Sequence, residues 1–321
     1  MMVNKIYLCD VFAIEKDNIF MWLSLAFLSA ALLGLYDVAK KYSLRENAVI
    51  PVLFCNTLFC ALIFLPFIVA SHTGILGSES LLCVDNWQWQ EQRFIVLKSF
   101  IVLSSWILGY YAIKHLPITI VGPVNATRPV LTLLGALIIF GERLNGWQWA
   151  GVLLAVTSFY MLSRSGKKEG IRFSHNRWIY YLVAAALLGA VSGLYDKFLM
   201  SPTGAGIRAI TVQCWYNFYQ CVIMGIVLLV VWLPQRKASP FRWRWSIMLI
   251  SVFITLADAA YFYALTYPDA MISVTSMVRR GSVIVSFCFG AMIFREKNLR
   301  SKAVDLCLVL LSMACLWIGG H

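Results

Sequence analysis

Arg128, Arg279 and Arg280 each fall midway along an apolar run, and Asp258 falls midway along another. A charge at bilayer depth costs several kcal/mol unless it is paired or faces a wet cavity. The planar guanidinium fork suits carboxylate and phosphate groups. Two readings follow: an Arg128–Asp258 or Arg280–Asp258 pair ties helices together, or an arginine faces a central cavity and binds an anionic or zwitterionic group. Three arginines against one aspartate leave a surplus of positive charge, which favours the second. Arg279 and Arg280 are adjacent, so they point about 100° apart on a helix and cannot share one partner. Trp106 and Tyr110 are four residues apart, and Asp258 and Tyr261 three, so each pair shares a helical face. The candidate substrate contacts are Trp106, Tyr110, Arg128, Asp258, Tyr261 and Arg280. Asp258 would neutralise an arginine in the empty site and release it when substrate binds.

Other polar groups admit plainer readings. Asp37 precedes Lys40 by one turn and Asp196 precedes Lys197, which suggests local ion pairing at helix ends, with gating or proton relay as the alternative. Glu142 and Glu296 each precede a helix start, where negative charge suits the helix dipole. Gln213, Asn217 and Gln220 recur on one helical face, with Asn56 as a comparable amide; such groups either bond other helices or line a cavity. His115, beside Pro117, reads as part of a tight turn.

The elements that hold these residues are legible from composition. The chain has 321 residues, 60% apolar and 13% charged. A soluble domain averages about 45–50% apolar and about 25% charged. The apolar surplus falls in blocks of about twenty residues, the length that crosses a bilayer core. Ten spans are expected, near 20–39, 48–70, 94–113, 117–140, 146–163, 178–199, 207–233, 246–266, 269–294 and 299–318. Trp87, Trp89, Trp147, Trp149, Trp178, Trp243 and Trp245 read as interface anchors. The net charge of +12 sits mainly in short connections and does not indicate nucleic-acid binding. The nine cysteines form no C-x-x-C or Cys/His cluster, so neither a metal site, a cofactor nor a disulfide framework is expected. Residues 1–20 do not resemble a signal peptide, because Asp10, Glu15, Lys16 and Asp17 interrupt them. Met1 and Met21 both remain open as starts.

The chain is duplicated. Gly34-Leu35-Tyr36-Asp37 closes the first apolar run, and Gly193-Leu194-Tyr195-Asp196 closes the run that begins at Trp178. Tyr111 to Pro117 matches Tyr263 to Pro268, and Phe140-Gly141-Glu142-Arg143 matches Phe294-Arg295-Glu296-Lys297. Aligning Tyr111 with Tyr263 shifts the halves by 152 residues and superposes Arg128 on Arg280, whereas aligning Glu142 with Glu296 shifts them by 154 and superposes Asn125 on Arg279. Five spans per half is odd, so the second half enters the membrane from the opposite side. The expected fold is an all-α integral membrane protein, ten transmembrane helices arranged as two inverted five-helix repeats. Its divisions are an N-terminal tail (1–20), a first repeat (21–163), a basic linker (164–177) and a second repeat (178–321). In that plan the substrate site lies near the midplane between the repeats, walled here by spans 1, 3, 4, 6, 8 and 9.

With these motifs the chain, from Met21 to Gly319, resembles the drug/metabolite transporter superfamily, EamA type. The second half departs from the pattern at Arg295-Glu296-Lys297 and at Arg279-Arg280-Gly281. The resemblance implies a secondary carrier of small metabolites, commonly an exporter, in a cell membrane such as the bacterial inner membrane. Small multidrug-resistance relatives carry a central glutamate in the first span. None stands there in this chain, which weighs against their cation-for-proton exchange, although protons remain the candidate coupling ion.

Lys and Arg at and beside the connections number 17 on one side and 6 on the other, which places both termini outside the cytoplasm. The resemblance implies the reverse. The count also predicts that Cys9 and Cys83 face outward and that Cys83 reacts with an impermeant maleimide. A membrane-embedded enzyme acting on a lipid-linked or amphipathic substrate is the alternative function. It requires a cluster of acids, His or Cys at one interface, and the sequence offers none, nor a nucleotide-binding loop.

Overall fold

The computed structural model describes residues 3–77, 79–80, 82–131, 134, 145–167, 173–200, 204–265, 278–294, 296 and 299–319. These residues contain ten α-helices and no strand. In chain order they are α1 (Val3–Leu44), α2 (Val49–His72), α3 (Trp89–His115), α4 (Ile118–Ala126), α5 (Gly146–Lys167), α6 (Arg177–Met200), α7 (Ala209–Val227), α8 (Ser246–Leu265), α9 (Ser282–Phe294) and α10 (Leu299–Gly319). Among the described residues six helical stretches are long and apolar enough to cross a membrane: α1 from Met21, α2, α3, α6 as far as Asp196, α7 with its extension to Gln235, and α10. The motifs at Phe140 to Arg143 and Tyr267-Pro268, residues 168–172 of the linker and parts of spans 4 and 9 lie outside the described residues.

Helix ends follow local chemistry. α3 stops at His115 because Leu116 precedes Pro117 and is extended, at φ −108° and ψ 151°. α1 turns off through Glu46, whose φ of 54° lies in the left-handed region. Asn47 then brackets two connections: its Oδ1 accepts from the backbone N–H of Arg242 at 2.9 Å and its Nδ2 donates to the Arg242 carbonyl at 2.8 Å. The chain is helical from Val3, so α1 starts well before Met21. No proline or glycine interrupts residues 3–20.

The principal packing pairs join an early helix to a late one, among them α1 to α8, α2 to α7, α3 to α6, α4 to α9 and α5 to α10. Replacing each helix by the one five places away returns the same set of pairs. Serine hydroxyls bond backbone carbonyls across three of these seams: Ser29 to Ala257 at 2.6 Å, Ser105 to Ala185 at 2.7 Å and Ser312 to Gly151 at 2.7 Å. Such small-residue contacts replace the hydrophobic effect where the surroundings are already apolar. Gly151 shows how close the approach is: a Cβ there would lie 3.0 Å from the Ser312 carbonyl oxygen on α10.

The loop before α3 corrects one expectation. Asp85 pairs with Arg208 at the start of α7, accepts a hydrogen bond from the Thr211 hydroxyl at 2.8 Å, and its N–H donates to the same oxygen at 2.9 Å. The Arg208 guanidinium holds the Asp85 carboxyl below its usual value. This anchor folds the loop onto the protein and leaves Cys83 only 8% exposed, so its thiol is not open to a maleimide.

Candidate functional site

A cavity of about 400 Å³ lies where α1, α3, α4, α6, α8 and the start of α9 converge. Trp106, Tyr110, Arg128, Tyr261 and Arg280 line it, as do Asp37 and Asp196. Asp258 stands behind the wall, in an ion pair with Arg279, which does line the cavity.

Both cavity arginine sets sit at breaks in helical structure. α4 ends at Ala126, Thr127 forms a turn, and helix resumes at Arg128. Residues 278–280 are helical, Gly281 forms a turn, and α9 begins at Ser282. Interrupted helices leave backbone groups without their regular partners, a geometry tolerated at membrane depth only inside protein or beside a polar cavity. The same breaks aim the side chains of Arg128, Arg279 and Arg280 inward.

The charges are arranged in pairs. Lys40 Nζ lies 2.6 Å from Asp37 Oδ1, in the same turn of α1, and its ammonium sits 4.3 Å from the Tyr36 ring centroid. Arg279 lies 4.6 Å from the Tyr261 ring centroid, a cation–π contact that also steers it towards Asp258. Gln213 Nε2 donates to the second Asp258 oxygen at 3.2 Å. Arg128 Nη2 donates to Asn125 Oδ1 at 3.1 Å. Its guanidinium rests over Gly189 of α6, where a Cβ would come within 2.9 Å of Cζ. Tyr110 is 1% exposed and closes the apolar side of the cavity.

Two sequence expectations require correction. Asp258 pairs with Arg279, not with Arg128 or Arg280. The breaks before Arg128 and after Arg280 set rotations that a continuous helix would not have. Asp196 pairs with Lys98 on α3; the side chain of Lys197 lies outside the described residues. Glu296 does not serve the helix that follows it. Its carboxylate accepts from the backbone N–H of Ile118 at 2.7 Å and of Thr119 at 3.1 Å, and from the Thr119 hydroxyl, so it caps α4 in the other half of the chain. Glu142 lies outside the described residues.

Sequence reasoning also passed over several residues. Tyr36 and Asn125 line the cavity, and Lys302 and Asp305 are fully buried on α10. The spacing of Lys302 and Asp305, one turn apart just inside span 10, was the available signal. His115 is stacked on Trp178, ring centroids 3.6 Å apart, consistent with a packing role at the turn.

Comparison with known proteins agrees with the architecture. A stretch of 176 residues, 54% of the chain, is 26% identical to an uncharacterized transporter of Archaeoglobus fulgidus, and spans only 57% of that relative's length. A crystal structure of another protein superposes with a TM-score of 0.59 at 12% identity, covering 94% of this chain and 97% of that one, which establishes a shared fold alone. Residues 20–164 match the EamA-like transporter family. Together the helices and this match identify a multi-pass membrane protein whose residues 20–164 are similar to the EamA-like transporter family.

Proposed function

We propose that the protein is a secondary transporter that carries a small anionic metabolite across the cell membrane by alternating access. Export is the direction the family resemblance implies. The two halves, 21–163 and 178–321, act as inverted repeats that rock about the central cavity. The exchange of helix pairs under a five-place shift supports that reading, as does the occurrence of a broken helix with a cavity arginine in each half.

The observation that carries the proposal is the charge of the cavity. Among the described residues its wall holds Lys40, Arg128, Arg279 and Arg280 against Asp37 and Asp196. Adding the partners Lys98 and Asp258 leaves the same surplus of two positive charges. Surplus cations are costly at membrane depth and call for an anion. A zwitterion would bring no net charge, so an anion answers the surplus better. Trp106 and Tyr110 supply apolar cover, and Arg128 and Arg280 the acid-group contacts.

Thermal denaturation of the purified protein against a metabolite library tests this. Stabilisation by organic anions, and not by matched neutral or zwitterionic compounds, is the expected result. Stabilisation by cations alone overturns it.

A further inference from the structure

Away from the cavity, α2 packs against both α7 and α8, and each of the three helices carries a polar stripe. α2 presents Asn56 and Cys60, α7 presents Gln213, Asn217 and Gln220, and α8 presents Ser251, Thr255 and Asp258, each at spacings of three or four residues. Asn56, Gln220 and Ser251 are fully buried. Asn56 Nδ2, both polar atoms of the Gln220 amide and Ser251 Oγ have no hydrogen-bond partner among the described residues.

Two contacts fix how the stripes align. Gln213 bonds Asp258. α7 and α8 are consecutive and run in opposite directions, so seven residues forward from Gln213 and seven back from Asp258 bring Gln220 to the depth of Ser251. The Cys60 thiol lies beside Thr255 and near Asp258. α2 and α8 run the same way, so four residues back on each brings Asn56 to the depth of Ser251. The three orphaned side chains therefore lie at one depth, as a layer about 10 Å from Asp258 along the helix axis. Thr255, Cys60 and Tyr216 occupy the interval, and Cys60 Sγ reaches Asn56 Oδ1 at 3.9 Å.

We propose that the Asn56–Gln220–Ser251 layer is an internal water site at the end of a polar file that leads past Thr255 and Cys60 to Asp258. The chemistry of the layer selects water. Two orphaned amide N–H₂ groups need acceptors, and the Gln220 oxygen needs a donor; a bound cation would satisfy only the oxygens, whereas water does both. Buried water commonly makes about three bonds to groups of this kind. The site gives protons a route to Asp258 that avoids the substrate cavity. The groups around Asp258 are Arg279 from the segment before α9, Gln213 and Tyr216 from α7, Cys60 from α2 and Tyr261 on its own helix. A proton delivered to the carboxylate would break its pair with Arg279 and free that guanidinium for the cavity. The water site stands independently of the transport reading; the proton relay rests on it.

The test uses the full chain in lipid, labelled by brief hydroxyl-radical pulses generated from isotopic water. Cys60 is 2% exposed and Cys315, on α10, is 8% exposed, so bulk solvent favours neither. Oxidation of Cys60 well above Cys315, lost in Gln220→Leu, is the expected result. Cys60 oxidation no greater than that of Cys315, or unchanged in Gln220→Leu, overturns the water site. Should Gln220→Leu fail to reach the membrane, Gln220→Met preserves length and serves in its place. For the relay, Gln220→Leu should shift the pH profile of transport in the parent and leave it unmoved in an Asp258→Asn background. A shift that persists without Asp258 overturns the relay. A parent that moves no solute removes the transport reading and the relay together, and the labelling result then decides the water site alone.

Discussion

Gly189→Ala separates stability from function at this site. The added Cβ would lie 2.9 Å from Arg128 Cζ and 3.0 Å from Nε and Nη1. Ordinary contact at a Cβ begins near 3.4 Å, so the guanidinium must give way by about 0.5 Å. The clash falls on the far end of a flexible side chain, which yields readily. Replacing glycine by alanine inside a helix also gains about 1 kcal/mol of helix propensity. Thermal stability should therefore hold or rise by up to about 1 kcal/mol. Transport should fall, because misplacing a binding group by about 1 Å can cost on the order of a hundredfold in rate; a shift of half that size is expected to cost roughly tenfold. Flux of a labelled anion into proteoliposomes, beside a denaturation curve for the same preparation, reads both quantities. A Gly189→Ala protein that transports at the parental rate would show that the Arg128 position does not matter.

Glu296→Gln removes the charge that caps α4 and should cost about 1 kcal/mol, with Glu296→Ala costing more, seen as lowered melting temperatures in detergent. Equal melting temperatures would remove Glu296 from the account of how the halves are joined. Asp85→Asn should release the loop before α3 and make Cys83 reactive towards maleimide; a thiol that stays protected would show that another contact holds the loop. The same anchor predicts a pH effect. Because Arg208 lowers the folded-state value of Asp85, its stabilisation is present above the usual aspartate value of 3.8 and is lost as pH falls through the depressed one. The fluorescence of Trp87 and Trp89, at the end of that loop, should change only in that acid range, and Asp85→Asn should abolish the transition.

Six of the helices were readable because each is an apolar run of membrane-crossing length, and hydropathy reports that directly. The duplicated Gly-Leu-Tyr-Asp was equally visible, and its first copy places Tyr36 and Asp37 at the cavity wall. Pairing was less legible, since it depends on helix rotation. The helical interruptions at Thr127 and Gly281 rotate the arginines, and no periodicity in spans 4 and 9 announces them, so Asp258 was assigned to the wrong guanidinium. Lys98 finds Asp196 across the α3–α6 seam, a contact between residues nearly a hundred positions apart that local spacing cannot show. Glu296 was read against its own neighbours, while its two backbone partners lie at the start of α4. Gly189 carried no signal at all, because its role is the space it leaves for Arg128.

The most direct measurement is counterflow of a labelled organic dianion in proteoliposomes containing the parent, Arg128→Gln or Arg280→Gln. The parent should accumulate label against an internal load of the same anion. Each variant should keep its helix content and membrane insertion and lose that accumulation. Counterflow that is equal in all three proteins would contradict a cavity in which these arginines hold the substrate.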